Sequence, residues 1–178
     1  MEETTDSSAV TTRSVGIRYG IIMSLISIVY FLLFANLAMD TFLSLGRWGN
    51  TVIGIVILVL AHIYFKQNGD GFMSYGQGVG IAFWAGLVSS VIGSIFTYVY
   101  IKFIDSSMIT AIRESSIRQM EEKGQSDEQI EMAMKFVDMF TNAEAMLLFG
   151  LFFGILGLVV IGLIVTIFTQ KARPERFE

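Results

Sequence analysis

Four runs of this chain carry no charged side chain and are long enough to cross a lipid bilayer. They cover residues 19–39, 48–65, 71–101 and 145–170. About 20 helical residues, rising about 1.5 Å each, span a hydrocarbon core of about 30 Å. A long helix of a soluble protein would show a polar face, but these runs are apolar nearly all round. The sequence therefore predicts an all-α polytopic membrane protein with four transmembrane helices, at about 19–39, 48–65, 77–101 and 145–170.

The composition agrees with lipid as the solvent of these helices and excludes several kinds of site. Hydrophobic residues make up 53% of the chain and charged residues 16%, against about 25% charged residues in ordinary soluble domains. The absence of cysteine excludes disulfides, thiolate metal sites and cysteine nucleophiles. A single histidine, His62, excludes sites that need two, such as those of the HExxH zinc proteases. We therefore expect no metal site and no cofactor.

The residues before the first run are polar and acidic. Glu2, Glu3 and Asp6 stand where a cleaved signal peptide would have a basic start, so the first run is interpreted as a retained span. Residues 1–15 are predicted to form a disordered tail, because nothing apolar recurs there. Residues 16–172 are predicted to form one transmembrane domain, and residues 173–178 a short cytoplasmic tail.

Basic residues near the ends of the spans predict the orientation of the chain. With four spans both termini share one side, and that side collects six basic residues, against two near the membrane on the other side, Arg47 and Lys102. The six are Arg13, Arg18, Lys66, Lys171, Arg173 and Arg176. Because Lys and Arg are enriched on the cytoplasmic side, both termini are predicted to lie in the cytoplasm.

The polar segment between the third and fourth spans carries all of the chain's excess negative charge. Residues 105–141 contain eight acids and four bases, and the whole chain has a net charge of -4. A helix over 106–123 is predicted to stop at Gly124, and a second over 127–140 to begin with a capping box of Ser126 and Gln129. The expected structure is an extramembrane helical hairpin over residues 106–140. Its predicted partner-binding face consists of Ile130, Ala133, Met134 and Val137.

Six of the ten methionines lie between residues 108 and 146. Copper(I) bound through thioethers, an adaptable binding face and plain packing are all compatible with this cluster. Plain packing is favoured, because neither cysteine nor a histidine on that side of the membrane is available to complete a copper site.

Small residues recur at helical spacing in three of the four predicted spans. Such residues let helix backbones approach closely inside a membrane. The predicted helix-packing residues are Gly16, Gly20, Ser24 and Ser27 in the first span, Gly86, Ser90, Gly93 and Thr97 in the third, and Gly150, Gly154 and Gly157 in the fourth. Packing within one bundle is favoured over a homo-oligomer interface, although both follow from the same pattern.

Few residues in or near the spans carry chemistry. His62 lies near the cytoplasmic end of the second span, where an interfacial hydrogen-bonded histidine is favoured over a proton relay. Asn36 and Asp40 could pair with Arg47 across the first loop as a surface ion pair. The glycine-rich loop at residues 68–78 lacks the Gly-Lys-Ser/Thr of a phosphate loop and is interpreted as turns. No basic cluster suited to nucleic acid occurs in the sequence.

Three stretches of the chain carry a family resemblance. They are residues 61–66 (AHIYFK), 98–105 (YVYIKFID) and 120–133 (MEEKGQSDEQIEMA), and a glycine-rich last span follows them. Together they resemble the bacterial membrane-protein family named domain of unknown function 4199, over roughly residues 15–172. The resemblance implies a small multi-pass protein of the bacterial inner membrane. It brings no established activity, substrate or catalytic residue.

The sequence favours a binding function over an enzymatic one. The leading hypothesis is a scaffold or partner-binding protein that acts through the 106–140 hairpin, with the lipid bilayer and a protein partner or a second copy as its contacts. The alternative is a small oligomeric transporter or channel subunit with a pathway lined by Ser24, Ser27, Ser90, Ser94 and Thr97. A lipid-modifying enzyme ranks third, because only Asp40 and Asp105 offer carboxylates at the outer membrane boundary.

Overall fold

The computed structural model describes residues 10–34 and 47–174, and this part of the chain is all-helical. Its helices are α1 (Thr12–Phe34), α2 (Arg47–Asn68), α3 (Tyr75–Val99), α4 (Ser107–Glu122), α5 (Asp127–Phe140) and α6 (Ala143–Thr169). A short π-helical turn, Tyr100–Ile104, extends α3. Among the described residues no strand forms, and an isolated β-bridge joins Met73 to Lys171.

Some predictions fall outside these ranges. They concern residues 1–9 of the N-terminal tail, the end of the first predicted span with Asn36, the residues after it that include Asp40, and the last four residues of the chain.

Helices α1, α2, α3 and α6 are each long and apolar enough to cross a membrane, so the prediction of an all-α fold with four apolar helices is confirmed. The first of them begins at Thr12, inside the segment predicted to be a tail. Thr11 and Ser14 explain this early start, because each side-chain oxygen accepts the backbone N–H of the other residue, at 3.0 and 3.1 Å. These bonds satisfy two donors that a helix N-terminus would otherwise leave unpaired.

Helix α3 is the centre of the bundle and makes its most extensive contacts with α1 and α6. The core contains Leu58 and Ala61 of α2 together with Ile81 and Ala82 of α3, and none of these four residues is accessible. Large apolar residues on the outward faces of the same helices are exposed, and Phe168 reaches 83%. The bundle therefore keeps many of its small residues inside and presents large apolar ones to its surroundings.

Helices α4 and α5 pack against each other as a hairpin. Gly124 in the turn has a φ of +71°, a conformation that residues with a Cβ rarely adopt. Ser126 Oγ accepts the N–H of Gln129, and Gln129 Oε1 accepts the N–H of Ser126, so the predicted capping box is confirmed. An ion pair of 2.9 Å between Arg113 Nε and Asp138 Oδ1 joins the two helices.

Candidate functional site

A cavity of about 1010 Å³ lies among α1, α2, α3 and α6. Within the described part of the chain no charged residue lines it. Its polar lining comes from the first three of these helices and consists of Ser27, Asn50, Thr51, Ser89, Ser90, Ser94 and Thr97. The volume is at the upper end of the range of about 300–1,000 Å³ that is typical of small-molecule sites.

Phenylalanine rings form much of the apolar wall of the cavity. Phe31 comes from α1, Phe96 from α3, Phe140 from α5, and Phe149 and Phe153 from α6. The ring centroids of Phe140 and Phe149 are 5.1 Å apart. The end of the hairpin therefore meets the bundle at the cavity, which the sequence did not predict.

The cavity is open on one side, so lipid, water or a ligand can enter it from the surroundings of the bundle. Its apolar lining favours a molecule with a hydrocarbon part over water alone.

Some hydroxyl groups around the cavity have a hydrogen-bond partner within the protein, and others do not. Ser27 Oγ donates to Asn50 Oδ1 over 2.8 Å, and Ser89 Oγ donates to the carbonyl three residues earlier over 3.4 Å. Ser90 and Ser94 are buried, with exposures of 9% and 8%. In the described ranges neither hydroxyl has a hydrogen-bond partner, so both are available to a molecule in the cavity.

The small residues of α1 lie against α3. A methyl group added at Gly20 would come within 2.9 Å of the carbonyl oxygen of Ala85, and one added at Gly16 would overlap Trp84. Ser24 is buried, and its hydroxyl donates to the carbonyl three residues earlier over 2.8 Å. The backbones of α1 and α3 therefore approach closely at Gly16 and Gly20, and Ser24 does not line the cavity.

Glycines of α6 face the serines of α3. A methyl group at Gly154 would overlap Ser90 Oγ, and one at Gly150 would lie 2.9 Å from Ser94 Oγ. At Gly86 of α3 a methyl group would lie 3.2 Å from a leucine side chain of α6. These residues let the two helices approach at one edge of the cavity.

The remaining predicted packing residues of α3 and α6 line the cavity. Gly93, Thr97 and Gly157 are part of its wall. A methyl group at Gly93 or Gly157 would meet no atom within 4 Å. These two glycines therefore border open space, unlike Gly150 and Gly154 of α6.

The predicted partner-binding face of α5 is turned towards the chain itself. Met134 is buried, and Ile130, Ala133 and Val137 are half-buried. Most of this face is therefore covered by the chain itself, and its binding of a partner stays a prediction.

A different stripe of α5 is exposed, and we call it the α5 row. It consists of Met132, Phe136 and Met139, with exposures of 55%, 64% and 60%. Spacings of four and three residues place these side chains on one stripe, so the sequence contained the signal. It was missed because apolar residues cover more than half of the circumference of α5, and only packing decides which part is covered.

His62 is fully buried where α2, α3 and the end of α6 meet. Its Nδ1 lies 2.8 Å from the hydroxyl of Thr169, and its Nε2 lies 3.1 Å from the carbonyl oxygen of Gly78. Because a carbonyl only accepts, Nε2 carries the proton of that bond. Lys66, one turn later, donates to the carbonyl of Thr169 over 2.8 Å. The histidine is thus a hydrogen-bonded junction between three helices, away from the cavity.

Other basic residues gather at the same end of the bundle. Arg18 donates to the hydroxyl of Tyr64 over 2.8 Å, and Arg173 forms an ion pair with Asp70. The backbone of Lys171 pairs with the segment that leads into α3.

At the opposite end of the bundle, an ion pair of Lys102 and Glu144 connects the π-helical turn after α3 to the start of α6. Asp105 follows, and its carboxylate accepts the backbone N–H of Ser107 over 2.8 Å. This bond, together with one from the Ser107 side chain, lowers the pKa of Asp105 below its ordinary value. Asp40, the second carboxylate predicted at this boundary, lies outside the described residues.

In the described part of the chain, no three His, Cys, Asp or Glu side chains are grouped so that they could hold a metal ion.

Comparison with known proteins identifies a family. No curated protein and no solved structure matches the chain. The family described as "Protein of unknown function (DUF4199)" matches residues 18–171, a range that includes the whole lining of the cavity and the hairpin. The resemblance noted in the sequence is confirmed, and the chain belongs to the DUF4199 family.

Proposed function

We propose that this protein is a non-enzymatic multi-pass membrane protein that binds a protein partner through the α4–α5 hairpin. The observation that carries the proposal is the α5 row, three large apolar side chains that are each more than half exposed on a hairpin rich in charged residues. Exposed apolar area costs about 25 cal/mol per Å² in water, and a contiguous patch of it marks an interaction surface.

Two features of the bundle support its placement in a bilayer. Phe152 and Phe168 of α6 are exposed at 62% and 83%, which lipid tolerates and water does not. Arg18, Lys66 and Lys171 lie at one end, which the positive-inside rule assigns to the cytoplasm. We therefore infer an inner-membrane protein with cytoplasmic termini and with the hairpin on the opposite side.

Because the chain has no cysteine, single cysteines test this topology directly. Glu121→Cys in the hairpin should react with a membrane-impermeant maleimide on spheroplasts. Gln67→Cys, at the basic end of the bundle, should react only after the membrane is permeabilised. The reverse labelling pattern would contradict the proposed orientation.

The charge of α5 favours a protein over a lipid surface as the partner of the α5 row. The helix carries four acids and one base, which are Asp127, Glu128, Glu131, Asp138 and Lys135. Anionic headgroups would repel such a helix, since membrane-surface helices rely on Lys and Arg for attraction. Methionine and phenylalanine together adapt well to an apolar groove on a partner. We infer a partner with an apolar groove and basic residues at its rim.

Site-specific photocrosslinking in native membranes tests this proposal. With p-benzoylphenylalanine at position 136, a discrete protein adduct is expected. The double variant Met132→Ser and Met139→Ser should lose the adduct, whereas Lys135→Ser, on the polar arc of the same helix, should retain it. The probe at position 118, on the charged outer face of α4, serves as the control position. Adducts with lipid alone at position 136 would refute partner binding.

A small oligomeric transporter or channel subunit is the second candidate function. The observation in its favour is that Ser27, Ser90, Ser94 and Thr97 line one cavity. The measurements that test it are the oligomeric state in detergent and solute flux in proteoliposomes. A monomer without flux would exclude this candidate.

A further inference from the structure

Two serines of α3 line the cavity, and within the described ranges their hydroxyl groups form no hydrogen bond with the protein. Ser90 and Ser94 are more than nine-tenths buried, and they bond no other residue in the ranges that the structure describes. Their oxygen atoms are not fully enclosed by protein, so a molecule in the cavity can reach them. A hydroxyl group in apolar surroundings is normally paired with protein, water or a ligand. The two serines are one helical turn apart on α3, so the polar end of one molecule reaches both.

The rest of the lining defines the chemistry of that molecule. Hydroxyl and amide groups both donate and accept, which suits an alcohol or a carbonyl group. The absence of charged groups from the described lining disfavours an ionised ligand, because a charge buried without a counter-charge is costly. Five phenylalanine rings provide an apolar wall for a hydrocarbon body.

We propose that the cavity binds an uncharged amphiphile, with its hydroxyl or carbonyl group at Ser90 and Ser94 and its hydrocarbon body along the phenylalanine wall. The proposal rests on the membrane placement proposed above. It is independent of partner binding by the hairpin.

A purely structural role for these serines makes a different prediction. Ser90 and Ser94 lie against Gly154 and Gly150, where a small side chain lets α3 and α6 approach. Alanine is equally small, so it would preserve that packing. Alanine substitution therefore separates the loss of a hydroxyl group from the loss of a small side chain.

The test uses the full chain in phosphatidylcholine nanodiscs and hexadecanol that carries a photoreactive diazirine on its chain. Saturable labelling of peptides that line the cavity is expected, with competition by hexadecanol and much weaker competition by hexadecanoate at pH 9 or by hexadecane. The double variant Ser90→Ala and Ser94→Ala should weaken binding about tenfold to thirtyfold, as two neutral hydrogen bonds would. Ser24→Ala is the matched control, because Ser24 is a buried serine of the neighbouring helix that does not line the cavity and already donates to the backbone.

Variants that fill the cavity provide a second measurement. Gly93→Leu and Gly157→Leu place a side chain in open space, so they should abolish the labelling while the protein stays folded. Gly76→Leu is the control, since a side chain there also meets no atom within 4 Å and Gly76 does not line the cavity.

Several results would overturn the proposal. Labelling that persists in the filled variants, or that is spread over the lipid-facing surface, would show general partitioning into the membrane. Equal competition by hexadecanoate would refute an uncharged ligand. If the double serine variant lowers thermal stability but leaves hexadecanol binding unchanged, the two serines serve helix packing and do not bind the ligand. The hairpin crosslinks do not enter this assay, so each proposal can fail without the other.

Discussion

Replacing His62 by leucine tests whether the junction of α2, α3 and α6 holds the bundle together. Leucine fills a similar volume but cannot bond the hydroxyl of Thr169 or the carbonyl of Gly78, which lie 2.8 and 3.1 Å from the ring nitrogens. A neutral hydrogen bond contributes about 1 kcal/mol, so the loss of two should cost about 2 kcal/mol. Soluble proteins of this size lose about 2–4 °C in Tm per kcal/mol, so a decrease of about 4–8 °C is expected.

His62→Ala should lower the free energy of unfolding more than His62→Leu does. The imidazole is fully buried, and truncation of a buried ring typically costs about 3–5 kcal/mol because a cavity is left behind. Thermal unfolding in detergent, followed by far-UV circular dichroism, measures both variants. Ile63→Ala is the matched control: the residue is adjacent on α2, but it is 38% exposed and should change stability by less than about 1 kcal/mol.

A double-mutant cycle with Thr169→Val separates the hydrogen bond from general damage to the helix. If His62 and Thr169 stabilise the fold through their shared bond, the double variant should lose about 1 kcal/mol less than the sum of the single variants. Strict additivity, or a His62→Leu protein as stable as the parent, would refute the assignment of His62 as a structural junction.

Three further predictions concern single positions. Gly20→Val should destabilise the bundle by about 2 kcal/mol or more, because the added side chain meets the α3 backbone, whereas Gly93→Val should fold with nearly unchanged stability in the same thermal assay. Ser126→Ala should cost about 1 kcal/mol and expose α5 to faster amide hydrogen exchange, since it removes the N-cap. The Asp105 carboxylate should titrate below the ordinary value in a carbon-detected NMR experiment, and Ser107→Ala should raise its pKa part of the way back. Because the folded-state pKa is lowered, the bond of Asp105 stabilises the fold above the unfolded-state pKa of about 3.9, and this contribution is lost as the pH falls through the folded-state value.

Local features of the sequence predicted the elements of the fold. The four apolar helices, the stop at Gly124 and the capping box at Ser126 all follow from a few neighbouring residues, since helix length, left-handed glycine and N-capping are local properties. The start of α1 at Thr12 was missed, although Thr11 and Ser14 carry the local bonds that produce it.

Only the tertiary structure decided which faces of those helices are covered. Gly150 and Gly157 are chemically identical, lie on one helix and both line the cavity, yet a methyl group would come within 2.9 Å of Ser94 Oγ at the first and meet no atom within 4 Å at the second. Met134 and Phe136 of α5 are both apolar, yet one is buried and the other exposed. In a membrane protein lipid and protein interior are almost equally apolar, so hydrophobicity does not distinguish an inward face from an outward one. The chain therefore encodes its helices in composition and caps, whereas the cavity and the α5 row depend on how closely the neighbouring helices approach.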